Sequence, residues 1–370
     1  MFKYILIALC VLSISPNSHA SQTEALRAAT MEFLESLNAE QRKSVSFALK
    51  DDVRATWSNL PTLMAPPAGV LLKNLNDEQR TAVHRMLRVS LSSQGYTKTT
   101  AIMWLDDVLH ESAARRMAES AEARANPFAV AMAANRDSGN YAVAIFGDPE
   151  EDSWGWKMTG HHLAVNITVV KDQVGFMPVF LGSNPMIVTD GPYAGWMALP
   201  REGSIGIDLM QSLTADQQSV ARIGGQVPGD VFEGPGRRAS LKKFEGLPAK
   251  SLDPDQLERL QLLVGEYVRN ANNLSADLQL DAIAAAGWDN LWFSWRGPVD
   301  LDSRFYYRVH GSRILIEYNR QDENHDHAVV RDPENDYGED WLGHHYVEFH
   351  PKMDQVMRDV RKRLSAGTPR

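Results

Sequence analysis

The chain holds one cysteine in 370 residues, Cys10, and that residue lies in a segment expected to leave the mature protein. No disulfide, thiolate nucleophile or cysteine metal ligand would then remain. Cysteine proteases, zinc ribbons and iron–sulfur sites are excluded together. A basic excess is missing too: 38 Lys and Arg stand against 47 Asp and Glu, for a net charge of -9 and a pI near 5.7. That balance offers no positive stripe to a phosphate backbone, so a small-molecule or peptide ligand is expected and nucleic acid is not. Beyond the first residues no apolar run nears the roughly 20 needed to span a bilayer, so no integral membrane segment is expected after processing. A Gly-rich nucleotide loop following a strand and a Gly-x-Ser-x-Gly elbow are both absent.

What is present begins at the N-terminus. Lys3 supplies a small positive region, Tyr4 to Ile14 is an apolar run, Pro16 breaks it, and Ser18-His19-Ala20 puts small residues where signal peptidase inspects. The pattern predicts a signal peptide over 1–20, cleavage after Ala20 and a periplasmic or secreted protein. Cys10 sits inside the apolar run rather than after it, which argues against a lipoprotein.

Residues 21–125 read as a helical N-terminal region. Apolar residues recur at three- and four-residue spacing over Thr23–Leu37, Asp77–Val89 and Ala101–Met117. Four helix starts share one pattern: Leu37-Asn38-Ala39-Glu40-Gln41, Leu75-Asn76-Asp77-Glu78-Gln79, Leu213-Thr214-Ala215-Asp216-Gln217 and Leu252-Asp253-Pro254-Asp255-Gln256. In each, Asn, Thr or Asp caps the helix and Gln at the third helical position closes a capping box. Their uneven spacing argues against a solenoid; relics of a repeat are one reading of them, and four independently well-made helix starts the preferred one. Ala118–Ser138 reads as a helix end and linker. Residues 140–370 read as an α+β core that forms one composite domain with the N-terminal region. Strands are expected over Tyr141–Phe146, Trp154–Val170, Gly175–Phe180 and Asp302–Tyr318. Helices are expected over Ser212–Arg222, Pro254–Arg269 and Pro351–Leu364. Strand blocks and helix blocks in separate runs give an α+β class with a mainly antiparallel sheet.

Six of the eleven histidines fall between His310 and His350, where an even spread would place about one. With Gly311-Ser312 as a hairpin turn, alternation puts Phe305, Tyr307, Val309, Ile314, Ile316 and Tyr318 on a core face. Arg308, His310 and Glu317 then fall on the opposite, polar face. His325-Asp326-His327 places two imidazoles on one side of an extended segment, a recurrent way to supply two nitrogen ligands. His345 and Asp332 add to the cluster. His161-His162 lies in a strand pattern; His161 shares a face with Leu163 and Val165 and suits the core, whereas His162 suits a pocket. His84 and His110 read as structural, and Trp288, Trp292 and Trp295 as core and pocket wall.

The strings Trp154-Gly155-Trp156, Gly160-His161-His162-Leu163, Tyr307-Arg308-Val309-His310-Gly311, Ile316-Glu317-Tyr318, His325-Asp326-His327, Arg331-Asp332-Pro333, Asp336-Tyr337-Gly338 and His345-Tyr346 together resemble the DUF3500 family. The likeness spans about Ala25 to His350. It implies no settled reaction. It does imply that His161, His162, His310, Glu317, His325, His327, Arg331, Asp332 and His345 travel together as motifs.

The residues themselves point to a metal-dependent exported enzyme, hydrolytic or oxidative, acting on a small or peptide-like acidic substrate. The expected ligands come from His162, His310, His325, His327, His345 and His161, holding Zn, Fe, Cu or Mn. Glu317 and Asp332 are candidates for general base or for partners to an imidazole. Arg308 and Arg331 are candidates to clamp a substrate carboxylate. Two alternatives use the same residues: a non-enzymatic metal- or ligand-binding protein, and a metal-free set of acid–base or core histidines. Oligomeric state is not specified by any of these features.

Overall fold

Period-two alternation of apolar and polar residues makes half-buried strands, and period 3.6 makes helices that lie on them. Both patterns occur twice along this chain, in the same order. A computed structural model describes residues 16–349; the apolar run Tyr4–Ile14, the helix expected over Pro351–Leu364 and His350 lie outside them.

The first half contributes α1 (Pro16–Ser36), α2 (Ala39–Val45), β1 (Ser46–Phe47), β2 (Val70–Leu71), α3 (Asp77–Ser90) and α4 (Ser93–Glu119). Two short helices follow, α5 (Ala121–Ala125) and α6 (Pro127–Ala134), then β3 (Ala142–Phe146), β4 (Ser153–Gly160), β5 (Leu163–Val170), β6 (Gln173–Gly175) and β7 (Val179–Ser183). The second half repeats the scheme. It runs α7 (Glu202–Ser212), α8 (Ala215–Ala221), β8 (Leu247–Pro248), α9 (Pro254–Val268), α10 (Asn273–Ala286), β9 (Trp292–Arg296), β10 (Tyr306–His310), β11 (Leu315–Asp322) and β12 (His325–Arg331), closed by α11 (Glu339–Phe349). The fold is mixed α+β.

All twelve strands join one sheet, mainly antiparallel, in the order β1-β3-β4-β5-β7-β12-β11-β10-β9-β8, with β2 on β3 and β6 on β5. The two halves meet at β7 and β12, where Val179 pairs with Val330 and Gly182 with His327. Read outward from that seam, β7, β5, β4, β3 and β2 match β12, β11, β10, β9 and β8. A second meeting point lies on the helix side. Leu91 and Ala271 form an isolated bridge, with Ser92 N–H donating to Asn270 O at 3.1 Å and Asn272 N–H to Ser90 O at 2.9 Å. These two bonds are mirror roles, as an approximate two-fold axis requires.

The four capping boxes carry the same symmetry. Gln41 Nε2 donates to Asn74 O and Gln79 Nε2 to Ser36 O, each at 2.8 Å, while the two amides bond each other. In the second half Gln217 Nε2 donates to Ser251 O at 2.8 Å and Gln256 Nε2 to Ser212 O at 2.9 Å, again with a Gln–Gln bond. Each Gln thus closes its own helix start and also ties it to the preceding turn of its neighbour.

One face of the sheet packs on the helices. Ala82, Val83, Met86 and Leu87 of α3 recur at helical spacing and are buried together with Phe33, Ile102, Leu260 and Leu263 against Trp156, Tyr307 and Ile316. Burial of each large apolar side chain is worth about 1.5–3 kcal/mol relative to exposure. The opposite face is polar and lies under two irregular segments, residues 48–69 and 224–245. Buried Lys157 donates to Thr56 O at 2.6 Å and to Val53 O. Buried Glu317 accepts the N–H groups of Phe232 at 2.8 Å and Glu233 at 2.7 Å. Each such bond satisfies a backbone group that a buried loop would otherwise leave orphaned.

The structure moves several expected boundaries. Trp154–Val170 is a hairpin, β4 and β5, and not one strand: His161-His162 forms its turn, with His162 at φ 63°. The turn carries no glycine or asparagine, so alternation continues unbroken across it. Phe176-Met177-Pro178 interrupts the strand expected over Gly175–Phe180, since Pro178 has no N–H for a ladder. In the later hairpin, Gly311 N–H bonds Ile314 O at 2.8 Å, so the two-residue turn is Ser312-Arg313, one position beyond the expected pair. Trp292 and Trp295 lie in β9, and the expected linker holds α5 and α6.

Candidate metal centre

Three imidazoles converge at the seam between the halves. His162 comes from the β4–β5 turn, and His325 and His327 come from the start of β12, two residues apart and therefore on one face. His325 Nε2 lies 3.0 Å from His162 Nε2 and 3.0 Å from His327 Nε2. Ligand nitrogens at about 2.0–2.1 Å from a common ion lie roughly 3.0–3.4 Å apart, so this spacing fits one ion. Among the described residues these three form the group of metal-ligating side chains close enough to share an ion.

Local structure accounts for each position. Gly182 of β7 lies directly under His162, and a Cβ there would stand 2.9 Å from His162 Cβ and Cγ; only glycine lets the ring cross the strand. Gly182 N–H also donates to His162 O at 2.7 Å, which ties the turn to the seam. His327 stands edge-on to Phe180, with ring centroids 5.0 Å apart. His327 Nδ1 lies 2.8 Å from Asp230 Oδ1. A carboxylate only accepts, so this contact calls for the proton on Nδ1, which would leave Nε2 free toward the other rings; the Gln321 side-chain amide shares the same Nδ1 at 2.8 Å, and its oxygen can accept there. Asn59 Nδ2 in turn donates to Asp230 Oδ2 at 2.9 Å.

Behind the triad, His161 stacks on His162 with centroids 3.6 Å apart. Its Nδ1 lies 2.7 Å from Asp106 Oδ1 of α4; Tyr141 OH donates to Asp106 Oδ2 at 3.0 Å. Arg136 contacts both His161 and Asp106. His161 is thus engaged with its own carboxylate and lies outside the group of three that converge.

The electrostatics suit ligation. Burial, then the neighbouring His161, His327 and His325 rings and Arg136, hold His162 well below the usual imidazole range. Burial and His327 take His325 to about 3. Burial would raise Asp230, but the hydrogen bond and charge of His327 keep it low. A neutral His162 and a neutral His325 beside an ionised Asp230 suit ligation of a metal ion. His162 and His327 are buried while His325 keeps 17% of its side-chain surface, so access is from the His325 side.

The remaining expected residues lie elsewhere. His310, at the far end of β10, pairs through Leu315 with Arg331, four residues and about 13 Å along β12 from His327. It packs edge-on to Phe244, centroids 4.6 Å apart. Arg308 pairs with Glu245 at 3.0 Å. Glu317, also bonded by Tyr306 OH at 2.6 Å, anchors segment 224–245. Arg331 reaches Asp336 at 2.7 Å and Glu233 O at 2.9 Å. Asp332 accepts from Arg313 at 2.9 Å and from Gln279 at 3.2 Å. His345 is buried on α11, outside the converging three, and His344 is exposed beside Asp340. Asp230, Asp106, Asn59 and Arg136 were not singled out from the sequence. Asn59, Arg136 and Asp230 stand alone in loops and Asp106 lies mid-way along α4, with no motif to mark any of them.

A family model described as "Protein of unknown function (DUF3500)" matches residues 19–339. No curated protein and no solved structure matches the chain.

Proposed function

Because the chain belongs to the DUF3500 family, whose description names no reaction, we propose its function from the site alone: an exported metal-dependent enzyme, hydrolytic or oxidative, with the ion held by His162, His325 and His327. The observation that carries this reading is the convergence of three imidazole Nε2 atoms, with those of His162 and His327 each 3.0 Å from that of His325. One N–H on His325 Nε2 can satisfy one neighbouring ring and not both, whereas one cation satisfies all three. Three nitrogen ligands and no carboxylate in contact leave positions for water and substrate. A bound Zn, Fe, Cu or Mn ion would supply a nucleophilic hydroxide or polarise a substrate oxygen. Asp230 fixes the His327 tautomer, and the Asp106–His161 pair backs the His162 ring. A closed coordination shell would instead make the protein a metal binder without turnover.

The test is metal content. Protein purified without a metal-affinity tag is expected to carry a single transition-metal ion per chain by mass spectrometry. A His325→Ala/His327→Ala variant is expected to lose it while keeping its circular dichroism spectrum. A native protein that is empty and takes up none of zinc, iron, copper or manganese would overturn the reading. Exchange of a bound water, followed by paramagnetic relaxation in a manganese- or copper-loaded sample, separates the open site from the closed one.

A further inference from the structure

Strand β10 carries two buried polar side chains that the histidine triad does not use. Arg308 and His310 alternate with the core residues Tyr307 and Val309, so both lie on the polar face of the sheet. Ser294 of β9 pairs directly with Arg308 across the ladder. Among the described residues Arg308 Nε, His310 Nδ1 and Ser294 Oγ are buried without a hydrogen-bond partner. Buried polar atoms are nearly always paired, and here three unpaired ones share one patch of two strands.

Three consecutive residues of segment 224–245 cross that patch. The Lys243 backbone bonds the His310 ring. Since Nδ1 has no partner, the donor is Nε2, and Nδ1 is left as a bare acceptor. Phe244 stands edge-on to His310 and lies flat on Trp292, with centroids 4.6 and 4.7 Å away, yet is 48% exposed. Glu245 accepts from Arg308 Nη2 at 3.0 Å. Nε and Nη2 share the edge of a guanidinium that grips a carboxylate with two parallel bonds. Glu245 takes one of those two bonds and keeps 48% of its side chain exposed, whereas Arg308 keeps 1%. A buried cation is thus met from the solvent side by a loosely seated carboxylate.

The other half of the molecule closes the same place. Lys157 is the counterpart of Arg308, and its own segment supplies Thr56 O and Val53 O to the ammonium. Ala144, paired with Lys157, stands where Ser294 does.

We propose that Arg308, His310 and Ser294 form a second ligand site, for a small α-hydroxy carboxylate with an apolar body. Its carboxylate takes the Nε–Nη2 edge of Arg308 in place of Glu245 and accepts from Ser294 Oγ. Its hydroxyl donates to His310 Nδ1, and its body lies on Phe244. What selects a carboxylate is the occupant already there: Glu245 is the chain's own carboxylate, seated by one bond where a ligand would make two. The site does not depend on the metal reading of the triad.

Mandelate, an α-hydroxy acid with a phenyl ring, tests it by calorimetric titration of metal-free protein. Glu245→Gln removes the competing charge and is expected to tighten mandelate binding at least about 10-fold, since the open fraction of the site rises. In that background phenylacetate, which lacks the hydroxyl, is expected to bind about 10-fold more weakly than mandelate. His310→Phe is expected to erase that difference. Ser294→Ala, which disturbs no ring packing, is expected to weaken both acids about threefold. The His325→Ala/His327→Ala variant is expected to bind mandelate as the native protein does. Mandelate bound no tighter after Glu245→Gln, or phenylacetate bound as well as mandelate, would overturn the proposal. Loss of mandelate binding in the triad variant would overturn it too, by placing the acid at the histidines.

Discussion

At His327 the proposed metal site turns on the place of one proton. Asp230 can only accept, so it places the proton on Nδ1 and frees Nε2. Asp230→Asn keeps the shape and removes the charge, and the amide can donate to Nδ1 and favour the other tautomer. The variant is expected to bind metal about 10–100-fold more weakly, measured by competition with a chelator, with its thermal stability in the metal-free form little changed. Unchanged affinity would show that the carboxylate does not orient the ligand. His310 illustrates a different role. Burial and then Arg308 lower it to about 4, so it is neutral in the folded protein at neutral pH. The depressed value means that stability is full above about pH 6.5 and is lost as pH falls toward the folded value, because the unfolded chain takes up the proton first. His310→Phe removes that one titration. Urea unfolding of both proteins is expected to show the native protein losing up to about 3 kcal/mol relative to the variant between pH 7.5 and 4. Parallel curves would contradict it. The His-x-His pair of the triad was legible because two residues on a strand share a face. The third imidazole of the triad, His162, was legible as a pocket candidate but misplaced in a strand, and Asp230 was not legible at all: nothing local marks a lone loop aspartate.

Helix starts were the most legible elements, for a physical reason. A capping box is a local device: the side chains and backbone groups it joins lie within four residues, so the sequence displays all of it. What the sequence does not display is that Gln41 and Gln79, or Gln217 and Gln256, also bond each other across 38 or 39 residues. This gives each pair a measurable coupling. Gln41→Ala and Gln79→Ala are each expected to cost about 1 kcal/mol, the size of a lost cap. Together they are expected to cost less than the sum by about 0.5 kcal/mol or more, since either change already breaks the shared bond. The Gln217/Gln256 pair should behave alike. Additive costs in denaturant unfolding would show the amide pairs to be incidental. Strand boundaries were harder. Alternation set the faces of β10 and β11 correctly, with Phe305, Tyr307, Val309, Ile316 and Tyr318 all in the helix-side core. Turns lacking glycine at the bend slipped, because a period-two pattern runs on across a two-residue turn.

At the scale of the molecule, the repeat left its clearest mark in the sequence at the four helix starts. Trp154–Gly160 and Phe305–Gly311 occupy equivalent strands, and beyond the closing glycine they share aromatic residues at the first and third positions and a buried basic residue, Lys157 or Arg308, but few identities. Two-fold packing asks for apolar side chains of suitable volume at alternate positions, and many residues meet that requirement. The symmetry is broken at the site. The turn that holds His161-His162 in the first half holds Ser312-Arg313 in the second, and Arg313 pairs with Asp332 where the other half offers a ligand. One half therefore contributes His162 and the other His325 and His327, so a bound ion would staple the two across the β7–β12 seam. An ion that binds the folded chain alone stabilises it by RT ln(1 + [L]/Kd), about 4 kcal/mol at a thousandfold excess over Kd. The sheet is continuous and the Leu91–Ala271 bridge joins the helix side, so calorimetry of the metal-free protein is expected to show one cooperative transition. Zinc should move that transition upward by several degrees. His162→Ala and His325→Ala should abolish the shift alike, although they lie in different halves. Two transitions, of which zinc moves only one, would mean that the halves unfold separately and that the ion belongs to one of them.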